Sequence, residues 1–182
     1  MTTDNDYQSR IAQLGHDDLL ELWQRIAAGN ALGWAPGKAL EFLVLRAFQL
    51  EGADVRWPYS VSLYEEEIEQ IDGVVYTGGI SCLIECKDTA QRINVEPIAK
   101  MRNQLLRRPS AAIGAIVSIN GFTEAAEILA RFLAPQTILL WNGSELDFAL
   151  RNQMLCRALE AKYRHCIETG KPDFNLLLEK IL

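Results

Sequence analysis

Only 4 of the 182 residues are cysteine (Cys82, Cys86, Cys156, Cys166), too few and too scattered for a disulfide framework. They read as reduced thiols in apolar or helical settings. The two histidines, His16 and His165, have neither a serine nor a catalytic cysteine candidate placed to form a His-dependent triad. His165 and Cys166 are adjacent on an expected helix and cannot easily grip one ion together. No apolar run approaches the roughly 18 residues that span a bilayer. The N-terminus, "MTTDNDYQSR", has no basic start leading into an apolar stretch, so no secretory signal is visible. Internal repeats, low-complexity segments and long linkers are absent too. These absences point to a soluble cytoplasmic protein without a membrane partner, one domain over 1–182.

What is present is a core-forming composition, 49% apolar and 23% charged, with a net charge of −6. A protein basic all over is excluded, but a local basic footprint is not. Between Lys87 and Arg108 stand six basic residues (Lys87, Arg92, Lys100, Arg102, Arg107, Arg108) and two acidic ones (Asp88, Glu96), a local charge of +4 that leaves −10 for the rest. This is either a nucleic-acid footprint or a merely solvated helix face.

Apolar spacing predicts a helix from Asp17 or Asp18 to Gly29 and another over "GKALEFLVLRAFQLEG", opened at Pro36 or Gly37 and closed by Gly52. "DVRWPYSVSLY" reads as a strand in which Pro58 marks an edge or bend. An acidic run, "EEEIEQ", most simply a solvated edge that blocks aggregation, leads into "IDGVVY", a Gly-Gly turn and "ISCLIECK". A helix follows from about Val95 to Leu106. The short apolar runs "AAIGAIVSI" and "QTILLW" read as buried strands around a helix that Thr123 can cap. From Glu145 onward two helical pieces are expected, divided by "TGKPD". A meander followed by helical crossovers predicts an α/β fold: a mixed sheet with helices on both faces.

Charges in "IDGVVYTGGISCLIECKD" need an explanation, because an unpaired buried charge costs several kcal/mol, roughly. Period-two alternation puts Ile80, Cys82, Ile84 and Cys86 on one face and Ser81, Leu83, Glu85 and Lys87 on the other. The two cysteines are therefore core residues. Asp72 lies on the preceding strand and can come beside Glu85. Two carboxylates side by side repel unless a divalent cation or a basic group compensates them. Glu41 shares its helical face with Lys38, Val44, Leu45 and Phe48, so it faces a cleft or simply pairs with Lys38 one turn away.

Asp72, the Glu-x-Lys of "ECK" at 85–87 and a Glu on the preceding helix resemble the PD-(D/E)xK nuclease superfamily. "GKALEFLVLRAF", "IDGVV", "LIECKD" and "AIGAIVSINGFTEAAEILA" together resemble the Mrr-type restriction endonuclease domain, over roughly 36–150. That resemblance implies a restriction-endonuclease-like core at 36–150, with helical extensions at 1–35 and 151–182. It also implies a Mg²⁺-dependent DNA endonuclease, with Mn²⁺ as an alternative ion. Asp72, Glu85 and the backbone carbonyl of Cys86 would ligate the metal, and Glu41 would bind a metal-held water or a second ion. Lys87 would orient the attacking water, while Arg92, Lys100 and Gln104 would contact DNA. Two other functions fit the same residues: a catalytically silent relative that binds nucleic acid or protein, and a Holliday-junction resolvase, which would need a homodimer. A working site requires the Asp72 and Glu85 carboxylates to converge with the Lys87 ammonium beside them.

Overall fold

A computed structural model describes residues 4–57 and 59–178. Three helices come first: α1 (Asp4–Ile11), α2 (His16–Ala27) and α3 (Lys38–Leu50). Five strands follow: β1 (Asp54–Arg56), β2 (Tyr59–Leu63), β3 (Glu66–Ile71), β4 (Gly73–Thr77) and β5 (Ile80–Lys87). The chain then runs through α4 (Val95–Leu105), β6 (Ala112–Ser118), α5 (Glu124–Arg131), β7 (Ile138–Asn142), α6 (Gly143–Arg151) and α7 (Leu155–Thr169).

The main sheet has the order β1-β4-β5-β6-β7. Its β1-β4 and β4-β5 pairs are antiparallel, its β5-β6 and β6-β7 pairs parallel. The expected mixed sheet is therefore present, with a separate core on each face. Cys82, Ile84, Cys86, Val117 and Trp141 meet α2, α3, α6 and α7 on one face. Leu83, Ile116 and Leu140 meet Ile98, Met101 and Leu105 of α4 and Ala126 and Ala130 of α5 on the other. Alternation along β5 thus places Glu85 on the α4 side and the cysteines opposite. Thr123 caps α5, accepting a hydrogen bond from the Ala126 amide.

Several local expectations need correction. A helix the sequence reading did not separate, α1, precedes α2; only Tyr7 and Ile11, one turn apart, bury against the body. "DVRWPYSVSLY" is not one strand, since β1 joins the main sheet while β2 pairs with β3 in a two-stranded ribbon. Pro58, read as an edge or bend, lies outside the described residues. The acidic run is only partly a solvated edge: Glu66 and Glu67 are exposed on β3, but Glu69 is buried. The C-terminal break falls at 152–154, between α6 and α7, and "TGKPD" ends α7; no helix follows it among the described residues, and 179–182 lie outside them. No helix among the described residues is long and apolar enough to cross a membrane.

Candidate active site

Three elements meet where β3 ends and β4 begins. Gly73 lets them do so, since a Cβ there would stand 2.6 Å from a Leu45 methyl carbon of α3. With no side chain at 73, α3 lies directly on the strand beside Asp72. Asp72 itself sits between the ribbon and the main sheet, and its Oδ2 accepts a 2.6 Å hydrogen bond from the Cys86 amide of β5. That bond ties it to the residue next to Glu85.

Glu85 is 2% exposed. Its Oε1 takes two ammonium groups, Lys87 Nζ at 2.6 Å and Lys100 Nζ of α4 at 3.0 Å. Its Oε2 is buried and has no hydrogen-bond partner. Burial pushes Asp72 up to about 7, and repulsion from Glu85 and Glu41 adds to it; the Cys86 amide and Lys87 oppose the shift. Burial would lower Lys87, but the hydrogen bond and charge of Glu85, with help from Asp72, hold it above its ordinary value. Burial, followed by the charges of Asp72, Glu41 and Glu85, pushes the Cys86 thiol far up, as suits a core residue.

The expected cluster is thus brought together around Asp72, Glu85 and Lys87, with Lys100 added through Glu85. Glu41 makes the ion pair with Lys38 that its sequence allowed, at 2.8 Å, and its charge also reaches Asp72. Gln104 lies one turn beyond Lys100 on α4, buried, with Nε2 donating to the Gln70 carbonyl at 3.4 Å and Oε1 unpartnered. Arg92 stands apart, in a cavity of about 430 Å³ with Asn120, Asn142 and Ser144 at the ends of β6 and β7.

Sequence reasoning missed Glu69, whose carboxylate is held by Arg107 and Arg108 at the end of α4. A signal was there: Glu69 is two residues from buried Ile71, so a strand places both on one face. Among the described residues no three His, Cys, Asp or Glu side chains form a metal cage by themselves. A metal here would rest on two carboxylates with backbone and water oxygens. The donor set fits a hard divalent cation, because Glu85 keeps one bare buried oxygen beside the Asp72 carboxyl, whose charge burial first, and then Glu85 and Glu41, disfavour until a cation compensates it.

A restriction endonuclease family model, that of the Mrr catalytic domain, matches residues 35–150. The chain belongs to this Mrr-type restriction endonuclease family. The matched span of this Mrr-type domain holds Glu41, Asp72, Glu85, Lys87 and Lys100. No protein of curated function matches the sequence. Among solved structures, the chain is similar to the small subunit of the heterodimeric restriction endonuclease R.BspD6I, at 14% identity and a TM-score of 0.53, over 87% of this chain and 91% of that one. It also aligns with AF1548, a protein of unknown function, at 16% identity and a TM-score of 0.48, over 82% and 78% of the two chains. A third match is the MspJI restriction endonuclease, solved with a 27-mer oligonucleotide, at 17% identity and a TM-score of 0.36, over 87% of this chain and 35% of that one. The first of these likenesses establishes a restriction-endonuclease-like fold; activity has to be argued from the site.

Proposed function

We propose that this chain is a Mg²⁺-dependent DNA endonuclease that hydrolyses phosphodiester bonds in the cytoplasm. One observation carries the reading: a buried carboxylate, Glu85, with two ammonium groups on one oxygen and nothing on the other, next to a proton-hungry Asp72. A bare buried oxygen costs about 1–3 kcal/mol, a cost that a cation bound to Glu85 would remove. Asp72 and Glu85 supply oxygen ligands, with the Cys86 carbonyl as a further one and Glu41 behind Asp72 for a water or second ion. Mg²⁺, or Mn²⁺ in its place, is the hard cation that such oxygens select. When bound, the ion supplies Lewis acidity at the scissile phosphate and lowers the pKa of water.

The chain's own groups do the rest. Lys87 orients the attacking water and donates to the charge that develops on the phosphate oxygens. Lys100 neutralises Glu85 until substrate arrives, then turns to the phosphodiester. Arg92 and Gln104 hold the strand on either side, and phosphate contacts make binding salt-sensitive. The test is cleavage of supercoiled plasmid with Mg²⁺ against EDTA. Glu85→Ala and Lys87→Ala should each lower the rate about a hundredfold or more, while melting as folded proteins. Wild-type protein that cuts no duplex, branched or single-stranded DNA or RNA overturns the reading.

A further inference from the structure

The strand leading into Asp72 carries an acid that the proposed chemistry does not use. Glu69 has a side chain only 5% exposed, and its two oxygens are held separately, Oε1 by Arg107 and Oε2 by Arg108. Arg107 is 52% exposed, so one arm of the clasp faces solvent. The ribbon of β2 and β3 is a sheet of its own, and its register shifts between the Val61–Glu69 and Ser62–Glu67 pairs, skipping Ile68 next to Glu69, where a bulge re-aims side chains.

Between β3 and α4 lies a cavity of about 470 Å³, walled by Ile68, Glu69, Gln70, Lys100, Gln104 and Arg107. Lys100 connects it to the catalytic centre, since its ammonium reaches Glu85. Gln104, 2% exposed, keeps an acceptor without a partner at this wall. The cavity therefore has two cationic groups, an unused buried acceptor and one carboxylate filling the anionic position.

A pair of guanidinium groups around two oxygens is how arginine takes a phosphodiester. We infer that Glu69 occupies the place of a substrate phosphate: Arg107 and Arg108 form a phosphate subsite beside the catalytic centre, and the β2-β3 ribbon is a clasp that the DNA backbone must displace. This rests on the nuclease reading above. The exchange swaps one anion for another at Arg107 and Arg108 and releases Glu69 to water, so no new charge is left buried. The turn into β3 and its first two residues carry exposed Glu65, Glu66 and Glu67, which repel a phosphate backbone and favour movement of the ribbon away from seated DNA. Displacement also frees Gln104 from Gln70, giving its amide to the incoming strand.

The test is binding of a short fluorescent DNA duplex, followed by anisotropy across a salt series, with Ca²⁺ in place of Mg²⁺ to keep the strand intact. Glu69→Gln should bind about tenfold tighter than wild type. Arg107→Gln should bind more weakly and lose about 0.9 from the salt slope, the share of one phosphate contact. A purely structural ion pair predicts the opposite: Glu69→Gln melts lower without binding tighter, and Arg107→Gln changes neither affinity nor slope. Either result overturns the clasp. Should Glu69→Gln fail to fold, Arg107→Gln decides alone, because its half-exposed side chain can be removed without emptying the core. If wild type binds and cuts DNA while both variants bind like it, the clasp fails and the nuclease stands. Wild type that binds no DNA sinks both.

Discussion

Asp72 is the carboxyl of the site that burial and neighbouring charge shift upward. Its folded carboxyl titrates at about 7 against an ordinary 3.8, first through burial and then through Glu85 and Glu41. Between those two values the native protein keeps a proton that the unfolded chain has released. The native state therefore binds more protons, and metal-free stability falls as pH rises from about 4 to about 7. A cation must displace that proton, so Mg²⁺ affinity should rise over the same window and level off above it. Calorimetric titration with Mg²⁺ at several pH values checks this; Asp72→Asn should bind weakly with no such pH dependence. A flat profile in the wild type would show that Asp72 is not a ligand. Alternation within "ISCLIECK" is enough to put Glu85 and Lys87 on a shared face. The second ammonium on Glu85 was not legible, because Lys100 sits 15 residues away on another element.

At the scale of elements, the site depends on how closely α3 lies on β4. Gly73 sets that distance, and a methyl group there would collide with Leu45. Gly73→Ala should cost about 1–3 kcal/mol of stability by overpacking, read from urea unfolding, and should shift α3 with Glu41 away from Asp72. Unchanged stability would mean that the contact relaxes freely. The helices with clear apolar stripes, α2 and α3, were readable from spacing. So was the buried character of β6 and β7, whose runs are apolar on both faces. The split of β1 from β2 was not, since one continuous β-rich stretch feeds two different sheets and only pairing partners distinguish them. The same holds for β3: its acidic residues look solvated until α4 supplies two guanidinium groups.

Across the whole molecule, metal binding should report as stability, because the proposed ligands come from β5 and from the joint between β3 and β4. At a hundredfold excess over Kd a bound ion adds about 2.7 kcal/mol, and at about 2–4 °C per kcal/mol for a chain of this size melting should rise by roughly 5–10 °C with Mg²⁺. Glu85→Gln should abolish the rise. An equal rise in that variant would place the ion elsewhere.

Charge tells the same story at this scale. The basic stretch from 87 to 108 looked free to meet DNA, yet four of its cations are met inside the protein: Lys87 and Lys100 by Glu85, Arg107 and Arg108 by Glu69. Lys162, fully buried, likewise finds Glu145 at 2.6 Å and the Phe174 carbonyl, a pairing that no local pattern announced. By itself the sequence determined α2 and α3, the faces of β5, the buried strands β6 and β7 and the motif residues, because these follow from local periodicity and from which side chains tolerate burial. Only the tertiary structure decided which acid each cation meets. Such pairs join residues up to 42 positions apart, and those of the site exist only once two cores have closed on opposite faces of one sheet and brought β3, β5 and α4 together.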